Sequence, residues 1–244
     1  MRIMNRNFLM ALAMMPALGF ASIPVVSYEA NVPVDHVYSP AGFDSNDNSE
    51  VVISGFLPNL CYKAPQHMVN VKDGKINISV KAIKNQRGLG FCADVIVPYV
   101  EYVNLGVLDK GKYDIAVNEN SQWEKHSKMQ VAEASSSSID EVVYANVEEV
   151  VKSDDGSRKV ILKGHNPSDC FELKEIEVKD NGVDVYSVLP KMKQIRAFCP
   201  KKMIPFSYEF EVPQNLDADR VLLHVRVMDG RSVNAFFNNQ PQNE

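Results

Sequence analysis

Four cysteines, set in two copies of one pattern, constrain this chain more than any other feature. Gly55-Phe56-Leu57-Pro58-Asn59-Leu60-Cys61-Tyr62 and Gly164-His165-Asn166-Pro167-Ser168-Asp169-Cys170-Phe171 both read Gly-x-x-Pro-x-x-Cys-aromatic. Phe91-Cys92 is followed after five residues by Pro98-Tyr99, and Phe198-Cys199 after five residues by Pro205-Phe206. Val37-Tyr38 has a counterpart in Val143-Tyr144. The offset is 170 − 61 = 109 at the first cysteine and 199 − 92 = 107 at the second. At about one chance in twenty per identity, six ordered matches at a near-constant offset point to two copies of a domain of roughly 100 residues. A solenoid needs a shorter period and more copies.

The duplication chooses among the three connectivities that four cysteines allow. One bridge per copy, Cys61–Cys92 and Cys170–Cys199, is the economical pairing, because crossed bridges would tie together two self-contained cores. Loops of this size stabilise by roughly 3–4 kcal/mol each in the chain-entropy model, against a net stability of about 5–15 kcal/mol for a domain. Cys-x-x-Cys spacing is absent, so the bridges read as structural and not redox-active.

An even cysteine count fits an oxidising compartment, and the N-terminus agrees. Residues 1–21 read as a signal peptide: Arg2 and Arg6 precede an apolar run from Phe8 to Phe20, with cleavage expected after Ala21. The run is shorter than the ~20 residues of a membrane span. Without it the formal charge moves from −5 to (26 − 2) − 31 = −7. No later stretch reads as transmembrane, so the expected location is secreted or periplasmic. The acidic balance argues against a general nucleic-acid or anionic-membrane binder.

Period-2 alternation dominates the mature part. Ile76, Ile78 and Val80 alternate with polar residues, as do Phe206, Tyr208, Phe210 and Val212; Val221, Leu223, Val225 and Val227 alternate with Leu222, His224, Arg226 and Met228. Such strands are read with one face on a core and one in water. Asp73-Gly74, Asp155-Gly156, Asn181-Gly182 and Asp229-Gly230 supply hairpin signals. No segment has a helical amphipathic pattern. The expected fold is all-β: two tandem antiparallel β-sandwich domains, loosely immunoglobulin-like, each with one intradomain disulfide. The single Trp123 and the short cysteine spacings separate it from antibody-type domains. The expected layout is a lead-in at 22–34, domain 1 at 35–130, a Ser-rich linker at 131–138, domain 2 at 139–237 and a polar tail at 238–244.

Chemistry is sparse. None of His36, His67, His126, His165 and His224 has metal-finger or helical-pair spacing, and no nucleophile elbow or phosphate loop occurs, so no catalytic residue, metal or cofactor is assigned. Asp44-Ser45-Asn46-Asp47-Asn48-Ser49-Glu50 begins like a calcium loop. It then has Ser49 where glycine is required and Gly55 where the bidentate glutamate belongs, so it reads as a solvated Asx-rich turn. Lys191, Lys193, Arg196, Lys201 and Lys202 form a basic stretch around Cys199 with no acid between Pro190 and Pro205; Lys81, Lys84 and Arg87 precede Cys92 similarly. The stretch could face a lipid headgroup, a polysaccharide or an acidic partner, or be a hydrated loop that protects a sheet edge. The expectation is a non-enzymatic binding, adhesion or envelope-assembly module with a protein or surface-glycan partner. The alternatives are a divergent secreted hydrolase, or an inhibitor or chaperone of exported proteins.

Overall fold

A computed structural model describes residues 25–87, 91–136, 142–153 and 157–239. The expected leader at 1–21 lies outside them, as do Asp155-Gly156 and Ser137-Ser138. The described chain is β throughout, apart from a single 3-10 turn at Met228–Gly230.

In the first half, β2 (Val34–Tyr38), β4 (Asn48–Leu57) and β7 (Val97–Val107) form one sheet, with β4 central. The facing sheet contains β5 (Tyr62–Lys72), β6 (Lys75–Arg87), β8 (Gly111–Val117) and β9 (Lys125–Ala132). Two short additions extend it. β1 (Val25–Asn31) pairs antiparallel with β6, so part of the expected lead-in is a sheet strand, and β3 (Phe43–Asp44) pairs parallel with the edge of β9. Ile76, Ile78 and Val80 from one sheet meet Val51, Ile53 and Val103 from the other in a dry core.

The second half repeats this pairing. β10 (Val147–Lys152), β11 (Lys159–Asn166) and β14 (Ile204–Glu211) form the three-stranded sheet. β12 (Phe171–Asp180), β13 (Val185–Gln194), β15 (Arg220–Val227) and β16 (Arg231–Asn238) form the four-stranded one. The two larger sheets share a matching parallel pair, β6–β8 or β13–β15, and the first-half sheet, six-stranded with β1 and β3, has a second parallel pair in β3–β9. Val221, Leu223, Val225 and Val227 fill the second core with Leu162, Tyr186 and Val188.

Both bridges form within their own half, Cys61–Cys92 and Cys170–Cys199. The other repeated residues have a physical reason too. Gly55 pairs with Tyr99 across β4–β7, and Gly164 pairs with Phe206 across β11–β14. A Cβ on Gly55 would lie 2.2 Å from the Pro33 carbonyl oxygen, and one on Gly164 would lie 2.1 Å from that of Asn146. The repeated glycine is therefore set by a crossing backbone and a covering aromatic ring, and the two sequence motifs meet at one cross-strand pair.

Two hairpin signals behave as expected: Asp73 and Gly74, and Asp229 and Gly230, have positive φ at both positions, as type I′ turns require. Asn181-Gly182 instead opens a four-residue loop, in which the Asn181 side-chain oxygen accepts bonds from the Val183, Asp184 and Val185 amides.

The halves are packed together, and this overturns the expected exposure of β15. Its second face is also buried: Leu222 is 0 %, His224 1 % and Arg226 6 % exposed. That face lies against the outer face of the β2–β4–β7 sheet. Tyr38, Val52, Val185 and Leu222 form an apolar cluster there, with Val100 and Phe236 packed on it. The connection is anchored at its start: Val131 and Ala132 belong to β9, and Ser45 Oγ accepts a bond from the Ala134 amide. At the C-terminal end Asn239 is buried and bonded to Arg158 and to the Leu216 carbonyl.

Candidate functional site

The bridges hold two loops whose apolar side chains point into solvent. Phe91, one residue before Cys92, is 88 % exposed, and Phe198, one residue before Cys199, is 83 % exposed. Leu60, Val95 and Ile96 accompany the first, and Ile195 and Met203 the second, all exposed. Each loop is fixed from below. The Leu60 amide donates to the Ala93 carbonyl and the Asn85 amide to that of Cys61; the Ile195 amide donates to the Cys170 carbonyl and the Lys202 amide to that of Pro167. An exposed aromatic on a covalently anchored loop contributes nothing to its own core, and clustered exposed apolar surface marks interaction sites.

The loops face away from each other. Contacts advance together along β4 and β16, from Asn48 with Gly230, through Glu50 with Ser232 and Asn234, to the Val52 and Phe236 cluster. β13 runs opposite to β16, since it is parallel to β15 and β15 is antiparallel to β16. The first bridge follows the end of β4 and the second follows the end of β13. They therefore lie toward opposite ends of the molecule.

The structure divides the predicted basic stretch. Lys191 bonds Glu177 at 2.6 Å and lies 3.5 Å from Glu175, both on β12. The lysine's bond holds the Glu177 carboxyl below its ordinary value, and the same pair raises Lys191. Lys193 faces Glu172 in register, and Arg196 lies 3.4 Å from Asp169. Lys201 and Lys202 are exposed between Cys199 and β14, with no ion pair among the described residues. In the first half, Lys81 lies 3.7 Å from Glu29, and Lys84 sits over the Tyr28 and Tyr62 rings. Most of the charge seen in sequence is thus answered by neighbouring groups. What sequence reasoning missed is the apolar exposure beside it; the repeated Phe-Cys pair was its signal.

A second polar constellation lies between the halves and draws on the oxygen-rich run. Asp44 and Asp47 close an Asx turn through the Asn46 and Asp44 amides. The turn is not solvated: Asp47 is buried and bonds Arg226 at 2.8 Å, and the guanidinium sits 4.4 Å over the Phe43 ring. Glu50 accepts from Asn234 Nδ2 at 2.7 Å and from Ser232 Oγ at 3.0 Å. His224 Nδ1 lies 2.9 Å from Asn234 Oδ1. Burial raises the Glu50 carboxyl above its ordinary value. It lowers His224 to about 4, with the nearby Arg226 charge acting in the same direction. His224 is therefore neutral at pH 7 and donates to Asn234; its 3.6 Å approach to Glu50 is not an ion pair there. A serine, a histidine and an acid meet here, but Ser232 Oγ bonds Glu50, and His224 is held by Asn234. That is not the nucleophile–base–orienter chain of a hydrolase.

The remaining histidines pair with acids. His67 bonds Glu101 at 2.9 Å, His126 Glu124 at 2.8 Å and His165 Glu148 at 3.2 Å, and His36 bonds Asp184 across the interface. No group of three or more potential metal ligands occurs among the described residues. No helix among them is long and apolar enough to cross a membrane.

Residues 51–125 match the ORF11 beta-sandwich domain family, a span from β4 to the start of β9 that includes the first bridge. It covers less than half of the chain. No curated protein and no solved structure matches the chain.

Proposed function

We propose that this protein is an exported, non-catalytic binding module of a cell envelope or surface, made by duplication of one β-sandwich domain. The observation that carries this is the pair of exposed phenylalanines, Phe91 and Phe198, each beside a bridging cysteine. Folding stability does not favour a large exposed ring at the same place in both halves, and contact with a partner does. The proposed layout is domain 1 at 35–130, extended by β1 and by the last two residues of β9, and domain 2 at 139–237, with the Ser-rich segment between them. The tips differ in chemistry. The first is apolar and suits a groove on a protein partner. The second combines Phe198 and Met203 with Lys201 and Lys202 and suits an anion-bearing partner, the reading first given to Lys191, Lys193, Arg196, Lys201 and Lys202 together. The bridges support the location in an oxidising, secreted or periplasmic compartment, with residues 1–21 as the leader.

Site-specific photo-crosslinking tests this. A benzophenone side chain placed at 91 or 198 in the native compartment is expected to give discrete adducts. The same group at Glu209, on the polar outer face of β14, is expected to give none. Equal labelling from all three positions, or none from either tip, would end this assignment.

A further inference from the structure

We infer that the 195–203 loop of the second half is a membrane-interface tip that takes an anionic lipid surface. This rests on the reading of the bridge loops as contact sites and names the partner of one of them.

Three observations converge on the loop. The first is apolar surface without a protein neighbour: Ile195 is 43 %, Phe198 83 % and Met203 69 % exposed. The second is the order of charges along the loop and its stem. The acids that pair with the basic stretch, Glu175 and Glu177, lie on β12, and Asp169 lies in the turn before it. Lys201 and Lys202 follow Cys199, are exposed and have no ion pair among the described residues, so free positive charge accompanies the emerging apolar side chains. Lysine stems can lie along the acyl boundary while their ammonium groups reach phosphate, the usual arrangement at a lipid interface. The third is preorganisation. The bridge and the Ile195 and Lys202 backbone bonds fix the loop, so insertion requires no ordering of the chain.

The negative charge of the whole chain opposes general adsorption to an anionic surface, and it thereby orients the molecule. Screening confines each charge to about 8–10 Å at ordinary salt. The acidic body is repelled by an anionic surface while the tip is attracted, so the body stands off and the loop points in. The first tip fails the same comparison. Residues 91–96 carry Asp94 and no lysine or arginine, so that end has apolar surface without the cations that anionic headgroups select.

The test uses the full mature protein with vesicles of phosphatidylcholine alone and of phosphatidylcholine with phosphatidylglycerol in equal parts. The protein is expected to sediment with the anionic vesicles, not the neutral ones, and to be released by salt. Lys201→Glu with Lys202→Glu, and separately Phe198→Ala, are each expected to weaken binding by about tenfold or more, from the usual worth of a surface lysine or a buried ring. Phe91→Ala, at the opposite end, should bind as the parent does. A Phe198→Trp variant in a Trp123→Phe background reports insertion by a blue shift of its emission, whatever the effect on affinity. No binding to anionic vesicles, or equal binding by the tip variants, overturns the inference. If vesicles are ignored while a benzophenone at 198 still captures a protein, the lipid assignment falls and the contact-site reading survives. If vesicles are ignored and no tip labels anything, both fall.

Discussion

Gly55 stands directly across the β4–β7 ladder from Tyr99, whose phenolic oxygen lies 2.5 Å from the position a glycine Cβ would take and donates a 2.8 Å bond to the Pro33 carbonyl. Gly164 and Phe206 are likewise paired across β11–β14, with the ring Cζ 2.9 Å from the position a Cβ would take, although phenylalanine has no hydroxyl to bond the crossing Asn146 carbonyl. The crossing backbone cannot move without opening β2 or β10. Gly55→Ala and Gly164→Ala are each expected to lower stability by about 2–3 kcal/mol, the upper part of the overpacking range. Gly111→Ala, whose nearest neighbour is a Tyr113 ring carbon at 3.8 Å, should change little. Urea titrations of the three variants decide this, and equal midpoints would remove steric exclusion as the reason for the repeated glycine.

The interface makes stability depend on pH through two groups of opposite sign. His224 has a folded value of about 4, below the 6.5 of the free side chain. The unfolded chain therefore takes up a proton first as pH falls. Stability present above about pH 6.5 is lost down to about pH 4, by about 3 kcal/mol in all. Glu50 is raised, so its contribution is present at acid pH and is lost as pH rises through its folded value. His224→Gln, which can still donate to Asn234, should flatten the acid loss, and Glu50→Gln should steepen it. Denaturant midpoints from pH 4 to 7 read both slopes; parallel curves for all three proteins would exclude these groups as the source.

Asp47 and Arg226 form a buried pair joining the halves. Removing one partner leaves a charge without compensation, whereas replacing both with apolar groups need not. Asp47→Ala is expected to cost about 3 kcal/mol, with Asp47→Leu plus Arg226→Met recovering most of it. If the interface welds the halves into one cooperative unit, Asp47→Ala should also split a single calorimetric transition into two. A single transition with unchanged midpoint would show that the pair does not couple them.

The bridges are expected to be independent. Cys61→Ala with Cys92→Ala should destabilise the first half by about 2–5 kcal/mol, and Cys170→Ala with Cys199→Ala the second. Non-reducing peptide maps of the parent should give Cys61–Cys92 and Cys170–Cys199 peptides only. Any peptide joining Cys61 to Cys170 would contradict the described bridges.

Much of this was legible in residue order because the causes are local. Alternation at Ile76, Ile78 and Val80 is the pleat of a strand, and Asp73-Gly74 is a turn that needs positive φ at both positions. The Asp44–Glu50 run was legible as an Asx turn but not as an interface, because Asp47 and Glu50 find their partners in Arg226, Ser232 and Asn234 some 180 residues later. The apolar Leu222 on the supposed wet face of β15 was the local hint that this face is also covered.

The sequence by itself determined the strands, the repeated cysteine framework and the all-β class, because these follow from side-chain period, turn chemistry and spacing within one half. Tertiary structure alone decided which faces meet water. A strand's pattern shows that one side is apolar but not what lies against the other. It was the packing of two sheets that buried His224 and Arg226, the register of β12 on β13 that set Lys191 beside Glu175 and Glu177, and the position of the bridge loops outside both cores that left Phe91 and Phe198 exposed.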